Sequence, residues 1–152
     1  MTVGTGHVTN LQLASNSLSG SLSSLSFSLL PQLQEFSIPF NTLSGPLPVN
    51  LLTGLTELKV FNVFNNLGIS GTLPPTIFTG LTNIDTIALS HNQISGTLPP
   101  TLLSGLTNLL DFEAADNLLT GPIPSDFFSG LTNIAAVYLY NNQISGPFPI
   151  LP

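Results

Sequence analysis

Apolar residues recur along this chain in short alternating segments that return at a nearly constant interval. Each segment reads apolar-x-apolar-x-x-Asn, a pattern typical of a short β-strand with one buried face. Successive segments begin 25 or 26 residues apart, a period that predicts a solenoid whose rungs we number one to six in chain order. The segments predict strands near residues 11–16, 36–41, 61–66, 87–92, 112–117 and 137–142.

The same asparagine closes every segment, and a glycine follows four or five residues later. Where a strand ends, backbone groups lose their ladder partners and still require hydrogen bonds. An amide side chain both donates and accepts, so equivalent asparagines on neighbouring rungs are predicted to form a buried ladder. Its members are Asn16, Asn41, Asn66, Asn92, Asn117 and Asn142. The interval from Asn66 to Gly71 holds one extra residue, and we expect Ile69 to take the buried position there.

The rest of each period supplies the return path of the coil. Ser-Gly or Thr-Gly precedes a Leu-Pro-like pair in most periods, and Gly-Leu-Thr recurs at 54–56, 80–82, 105–107 and 130–132. A proline after leucine favours extended backbone and blocks a helix at that point. The Gly-Leu-Thr segments are predicted to form short helical or 3₁₀ turns on the side opposite the strands.

Together these residues resemble the leucine-rich repeat in its plant-type variety, whose core reads Asn-x-Leu-Ser-Gly-x-Leu-Pro. The resemblance covers nearly the whole chain and implies a β-rich α/β solenoid, a right-handed coil of about six repeats of 25 residues. It also implies a parallel concave β-sheet, with short 3₁₀ or helical turns on the convex side. We expect a single domain over residues 1–152, either a fragment of a longer array or an uncapped array, because neither end reads as a polar cap.

Charge is scarce, and this narrows the classes of partner. The chain has 1 Lys or Arg against 7 Asp and Glu, which gives a net charge of −6. Nucleic acid and anionic membrane surfaces are excluded as partners because there is no basic stripe to bind phosphate. No apolar run is long enough to insert into a bilayer. The absence of cysteine removes disulfides and thiolate metal sites, and we expect neither cofactor nor metal.

The x positions of the strands are predicted to face solvent on the concave sheet, which the resemblance implies as the binding surface. Some of these positions carry aromatic residues, which are typical anchors at interfaces. Others carry acidic residues, which are concentrated on rungs four and five. These acids could bind Ca²⁺, steer a basic partner or form a solvated acidic face. The predicted partner-binding residues are Phe40, Phe64, Asp85, His91, Asp111, Glu113, Asp116, Tyr138 and Tyr140.

We therefore expect a non-catalytic recognition or scaffold module of an extracellular or cell-surface protein, which binds a protein or peptide through the concave sheet. An enzyme is not expected, because a shallow face offers nothing that would bury one carboxylate of a pair and raise its pKa. The first alternative is head-to-tail self-association into filaments. The sequence opens about half-way through a repeat and closes at nearly the complementary point, so the end of one copy could continue the coil of the next.

The second alternative is ice binding by regular columns of hydroxyl groups on a surface poor in charge. Some plant-type leucine-rich repeat proteins are antifreezes, so the resemblance permits this function. Serine and threonine at these positions also belong to the repeat, where they tighten local turns. The columns contain Thr53, Thr56, Thr79, Thr82, Ser104, Thr107, Ser129 and Thr132.

Overall fold

Two parallel β-sheets run along the coil in the computed structural model, which describes residues 7–25 and 27–149. Each rung contributes one strand to each six-stranded sheet. The first sheet contains β1 (Asn10–Gln12), β3 (Glu35–Ser37), β5 (Val60–Asn62), β7 (Thr86–Ala88), β9 (Asp111–Glu113) and β11 (Ala136–Tyr138). The second contains β2 (Ser19–Ser21), β4 (Thr42–Pro46), β6 (Gly68–Thr72), β8 (Gln93–Gly96), β10 (Leu118–Gly121) and β12 (Gln143–Ile144). The β-rich parallel solenoid predicted from the repeat is confirmed.

The strands of the first sheet are shorter than predicted. Each has three residues and ends well before the asparagine that closes the segment. The residue immediately before that asparagine has a positive φ between 51° and 57° in all six rungs. A left-handed residue turns the chain out of the extended conformation, so a strand cannot continue to the asparagine. These residues are Ser15, Phe40, Asn65, His91, Asp116 and Asn141.

The second sheet is an element that the sequence analysis missed. Its strands cover the Ser-Gly and Thr-Gly segments, which the sequence pattern placed in the return path of the coil. In this second sheet, β4, β6, β8 and β10 each bury one apolar residue, for example Leu43 and Ile94. The extra residue of rung three is accommodated at the start of β6, where Leu67 is exposed and Ile69 is fully buried. A Cβ atom on Gly68 would lie 2.8 Å from the carbonyl oxygen of Leu43, so only glycine fits between these rungs.

The core is a continuous stack of apolar side chains between the two sheets and the return turns. Phe61 is fully buried and lies 5.7 Å, centroid to centroid, from both Phe36 and Phe78. Leu55 and Leu58 close the core from the turn side, where they are fully buried. Each side chain of this size contributes about 1.5–3 kcal/mol when it leaves water. Stacking of equivalent residues therefore holds successive rungs together.

The return side is built from tight turns. In the described residues one 3₁₀ helix is present, Leu22–Ser24, and bonds such as Leu55 N to Leu52 O (3.2 Å) close the other turns. A second, exposed asparagine ladder crosses this side and was missed in the sequence analysis. Its side chains donate to threonine carbonyls one rung earlier at 2.8–3.0 Å. The bonds are Asn83 to Thr56, Asn108 to Thr82 and Asn133 to Thr107. The signal was Gly-Leu-Thr-Asn, which recurs in three of the four motifs.

Candidate functional site

The buried asparagines hold the first sheet and the second sheet together at the edge where each strand of the first sheet ends. Asn41 is representative: its Oδ1 accepts from the backbone N–H groups of Asn16 (3.0 Å) and Leu18 (2.9 Å) on the previous rung. Its Nδ2 donates to the carbonyls of Leu13 (2.8 Å) and Ile38 (3.0 Å). The recurring asparagines are thus used within the coil, and the outer face of the first sheet is left for irregular side chains.

A groove of about 220 Å³ opens on that outer face between rungs three and six. Its depth comes from short side chains on rungs four and five, where Ala88, Ser90 and Ala115 are all buried. Ser90 also secures the floor, because its Oγ accepts a hydrogen bond from the backbone N–H of Ala115 at 3.0 Å. The groove is lined by Phe64, Ser90, Asp111, Glu113, Tyr138 and Tyr140.

A row of side chains, which we call the edge row, follows the groove across five rungs. Phe40 and Phe64 meet edge to face with centroids 5.3 Å apart, and Phe64 meets His91 in the same way at 5.0 Å. His91 Nε2 then lies 3.3 Å from Asp116 Oδ2. Asn141 donates to the other oxygen of Asp116 at 2.8 Å. The carboxylate of Asp116 is therefore held by contacts within the edge row.

The two remaining carboxylates of rung five face the groove. Asp111 and Glu113 occupy alternate positions of β9 and so project from the same face, while Phe112 between them is buried. Burial, followed by the negative charge of Asp111, raises the pKa of Glu113 above its usual 4.5, so the expectation that nothing on this face would bury one carboxylate of a pair was wrong. Asp111 Oδ1 is buried and has no hydrogen-bond partner among the described residues. The groove therefore concentrates negative charge that nothing within the described residues neutralises.

Replacing Glu113 with glutamine should stabilise the fold at about pH 7, because the amide removes both the burial penalty on the charge and the repulsion from Asp111. The raised pKa means that the folded state binds a proton more readily than the unfolded state. The destabilisation by Glu113 is therefore fully present above its raised pKa, fades as the pH falls through that pKa towards 4.5, and is lost below it. Thermal unfolding should show a higher midpoint for Glu113→Gln at about pH 7 that converges with wild type at roughly pH 4.

The matched control is Glu57→Gln, the same substitution in a return turn outside the first sheet. It should not reproduce the pH-dependent gain in midpoint. A gain of equal size in both variants, or one that does not change with pH, would contradict the assignment of the effect to the groove.

The structure brings most of the predicted binding residues together and separates one from them. Eight of the nine lie in the groove or the edge row. The exception is Asp85, which lies just before β7, accepts a hydrogen bond from Thr86 Oγ1 at 2.8 Å and does not line the groove. Ser90 lines the groove and was absent from the prediction, because a small residue carries no signal of depth in the sequence. No group of three or more His, Cys, Asp or Glu among residues 7–25 and 27–149 is placed to hold a metal ion.

The hydroxyl columns lie in the return turns and all eight residues are exposed. Three of them, Thr56, Thr82 and Thr107, also accept the second asparagine ladder through their backbone carbonyls. Their backbone positions are therefore set by the coil. Ice binding by these columns and head-to-tail self-association both stay predictions.

Comparison with known proteins places the chain in a family. The Leucine Rich Repeat family model matches residues 83–104. The leucine-rich repeat ectodomain of the receptor kinase SOBIR1 from Arabidopsis thaliana is 31% identical, with a TM-score of 0.78 over 93% of this chain and 75% of that chain. Pollen Receptor Kinase 3 is 28% identical, with a TM-score of 0.82 over 94% of this chain and 66% of that chain. No curated protein matches the sequence.

A third similar structure is that of a longer receptor. The plant peptide hormone receptor RGFR1, in complex with RGF2, is 30% identical with a TM-score of 0.77 over 92% of this chain, which spans 25% of the receptor chain. The present chain belongs to the plant-type leucine-rich repeat family. Within the described residues, no helix has the length and apolar character needed to cross a membrane.

Proposed function

We propose that this protein is a non-catalytic recognition module that binds a peptide or protein through the outer face of the first sheet, at the groove and the edge row. The observation that carries the proposal is the position of exposed aromatic side chains beside a charged groove. Phe40, Tyr138 and Tyr140 are 53%, 43% and 59% exposed. Aromatic residues dominate the energetics of protein interfaces, and an apolar patch with a polar surround marks such a site.

The size and shape of the groove favour a polymeric ligand. Sites for whole small molecules usually enclose about 300–1,000 Å³, whereas this groove has about 220 Å³ and is open to solvent. That volume suits one side chain of a peptide whose neighbouring residues lie along the edge row. The open shape also argues against catalysis, which relies on reacting groups held in a site that excludes water.

The similar structures support the same class of ligand. RGFR1 was solved with the peptide RGF2, and the Arabidopsis receptor kinase HAESA with a peptide hormone. The Arabidopsis thaliana BIR3 structure is a complex with SERK2. All are plant proteins, and SOBIR1 and HAESA are receptor kinases with ectodomains. We infer an extracellular or cell-surface location for this protein as well.

Replacing both Phe64 and Tyr140 with serine should weaken peptide binding at least tenfold, because hot-spot aromatics typically contribute about 2 kcal/mol or more each. The probes are peptides selected from a random displayed library against the wild-type protein. Their affinities for wild type and for the double variant are then compared by isothermal titration calorimetry. Circular dichroism checks that the double variant keeps the fold.

A control variant carries the same number of serine substitutions at exposed apolar positions off this face, Leu29→Ser with Val49→Ser. The selected peptides should bind this variant as they bind wild type. The proposal is overturned if the selected peptides bind the Phe64 and Tyr140 double variant with unchanged affinity.

Ice binding is a second candidate, favoured by the exposure of all eight hydroxyl residues of the return turns. A regular hydroxyl array requires repeated backbone positions, and the second asparagine ladder supplies them. Thermal hysteresis and ice-crystal shaping at about millimolar protein test it. Normal crystal growth under these conditions would exclude this function.

A further inference from the structure

The chemistry of the groove indicates which side chain of a peptide it takes. Asp111 and Glu113 bring two carboxylates to its lining, and the contact between His91 and Asp116 lies in the edge row. The single basic residue of the whole chain is Lys59, which precedes β5 and lies two rungs away. Within residues 7–25 and 27–149, no cationic side chain is paired with either of these two carboxylates.

Aromatic rings flank the same carboxylates. Phe64 stands at one end of the groove and Tyr138 and Tyr140 at the other. The two tyrosine rings are 6.4 Å apart and nearly perpendicular, at 83°, and both line the groove. A cation over an aromatic face is attracted by the ring quadrupole, and the attraction strengthens as water is excluded. Carboxylates combined with aromatic walls are complementary to a flat organic cation.

The acidic floor also has an unmet requirement for a hydrogen-bond donor. Asp111 Oδ1 is buried without a partner among the described residues. Buried polar atoms are almost always paired, and an unpaired one costs free energy. The raised pKa of Glu113, caused by burial and then by the charge of Asp111, shows that the two carboxylates repel each other in a partly desolvated site. A cation bound in the groove would reduce the repulsion between the two carboxylates.

We propose that the groove binds the guanidinium group of an arginine in the partner peptide, stacked against the aromatic walls and hydrogen-bonded to Asp111 and Glu113. This inference rests on the proposed function. Guanidinium fits better than ammonium because it is planar, stacks on aromatic rings and donates in a fork that matches carboxylates. Asp116 does not compete for the cation, since its two oxygens are held by His91 and Asn141.

The test uses small probes so that no natural ligand is needed. Wild-type protein labelled with ¹⁵N is titrated with N-acetyl-arginine amide and with N-acetyl-citrulline amide, a neutral analogue of the same shape. The arginine probe should shift the backbone amides of Glu113, Ala115 and Tyr138, with an affinity at least tenfold higher than that of citrulline. The affinity should fall as salt is added or as the pH is lowered, because both reduce the attraction.

Two variants assign the effect to residues. Asp111→Asn with Glu113→Gln should abolish the preference for arginine over citrulline. The control Glu35→Gln removes an acid from rung two of the same face, where it accepts bonds from Asn10 and Gln12, and should leave the preference unchanged. If the double variant does not fold, the salt dependence and the citrulline comparison in wild type decide the question.

The outcomes separate this inference from the proposed function. Equal binding of arginine and citrulline probes, or no binding of either, would overturn the inference. Equal binding of N-acetyl-lysine amide would overturn the assignment to guanidinium. Selected peptides that depend on Phe64 and Tyr140 but bind the double acid variant normally would overturn the inference and leave the proposed function standing. Peptides that bind independently of Phe64 and Tyr140 would overturn the proposed function itself.

Discussion

Replacing Asn66 with alanine should lower the free energy of unfolding by about 2–5 kcal/mol, since a buried N–H left unpaired costs about 1–3 kcal/mol and each lost hydrogen bond to a carbonyl about 0.5–1.5 kcal/mol. Asn66 is fully buried. Its Oδ1 accepts from the backbone of Leu43 at 3.2 Å, and its Nδ2 donates to the carbonyls of Ile38 and Val63 at 3.0 and 3.1 Å. Alanine leaves the buried N–H of Leu43 without its acceptor. It also removes one of the two asparagine donors to each carbonyl, because Ile38 also accepts from Asn41 and Val63 from Asn92. Equilibrium unfolding in urea measures the loss.

Asn16 provides a matched control because it is the same residue at the same repeat position in an exposed setting. Its side chain makes one bond, to the carbonyl of Ala14 at 2.9 Å. Asn16→Ala should therefore cost less than about 1 kcal/mol, the usual net value of one exposed hydrogen bond. Equal losses at the two positions would show that the stability does not come from the ladder.

A second variant separates hydrogen bonding from packing. Asn66→Asp keeps the shape of the side chain but replaces the donating nitrogen with an oxygen and introduces a buried charge. It should destabilise the protein at about pH 7 by at least as much as alanine does. If the aspartate variant were as stable as wild type, the donor bonds to Ile38 and Val63 would contribute nothing.

The ladder could be predicted from the sequence because the same amide recurs at every rung and backbone groups at a strand end need partners. The early ends of the strands could not. The turn before the asparagine was equally hidden, because residues such as Phe40 and Asp116 have a left-handed backbone and no glycine marks the conformation. The second sheet was also invisible, since strands such as β4 and β8 contain one buried apolar residue each and so show no alternation.

The candidate site divides in a similar way. Counting rungs was enough to predict that Phe64, Asp111 and Tyr140 share a face. It was not enough to predict the groove, because depth depends on the short side chains of Ala88 and Ser90 and on how their larger neighbours cover them. Asp85 was predicted to share the binding face because it precedes a strand of the first sheet. It accepts a hydrogen bond from Thr86 and does not line the groove.

Replacing Phe61 with alanine should lower the free energy of unfolding by about 3–5 kcal/mol, the range typical of emptying a fully packed aromatic position. Phe61 is fully buried at the centre of β5 and contacts the rings of Phe36 and Phe78. A solenoid transmits stability through contacts between neighbouring repeats. The loss should therefore be concentrated around rungs two to four.

Native-state hydrogen exchange, read rung by rung, distinguishes this local effect from a uniform one. Backbone amides of β3, β5 and β7 should lose more protection in Phe61→Ala than those of β11. Phe40→Ala is the control, since Phe40 is 53% exposed, and its loss should stay below about 1 kcal/mol as for other surface substitutions. Uniform loss of protection over all rungs would mean that the coil unfolds as one unit. The groove would then be coupled to every rung, and substitutions far from it would weaken peptide binding through stability alone.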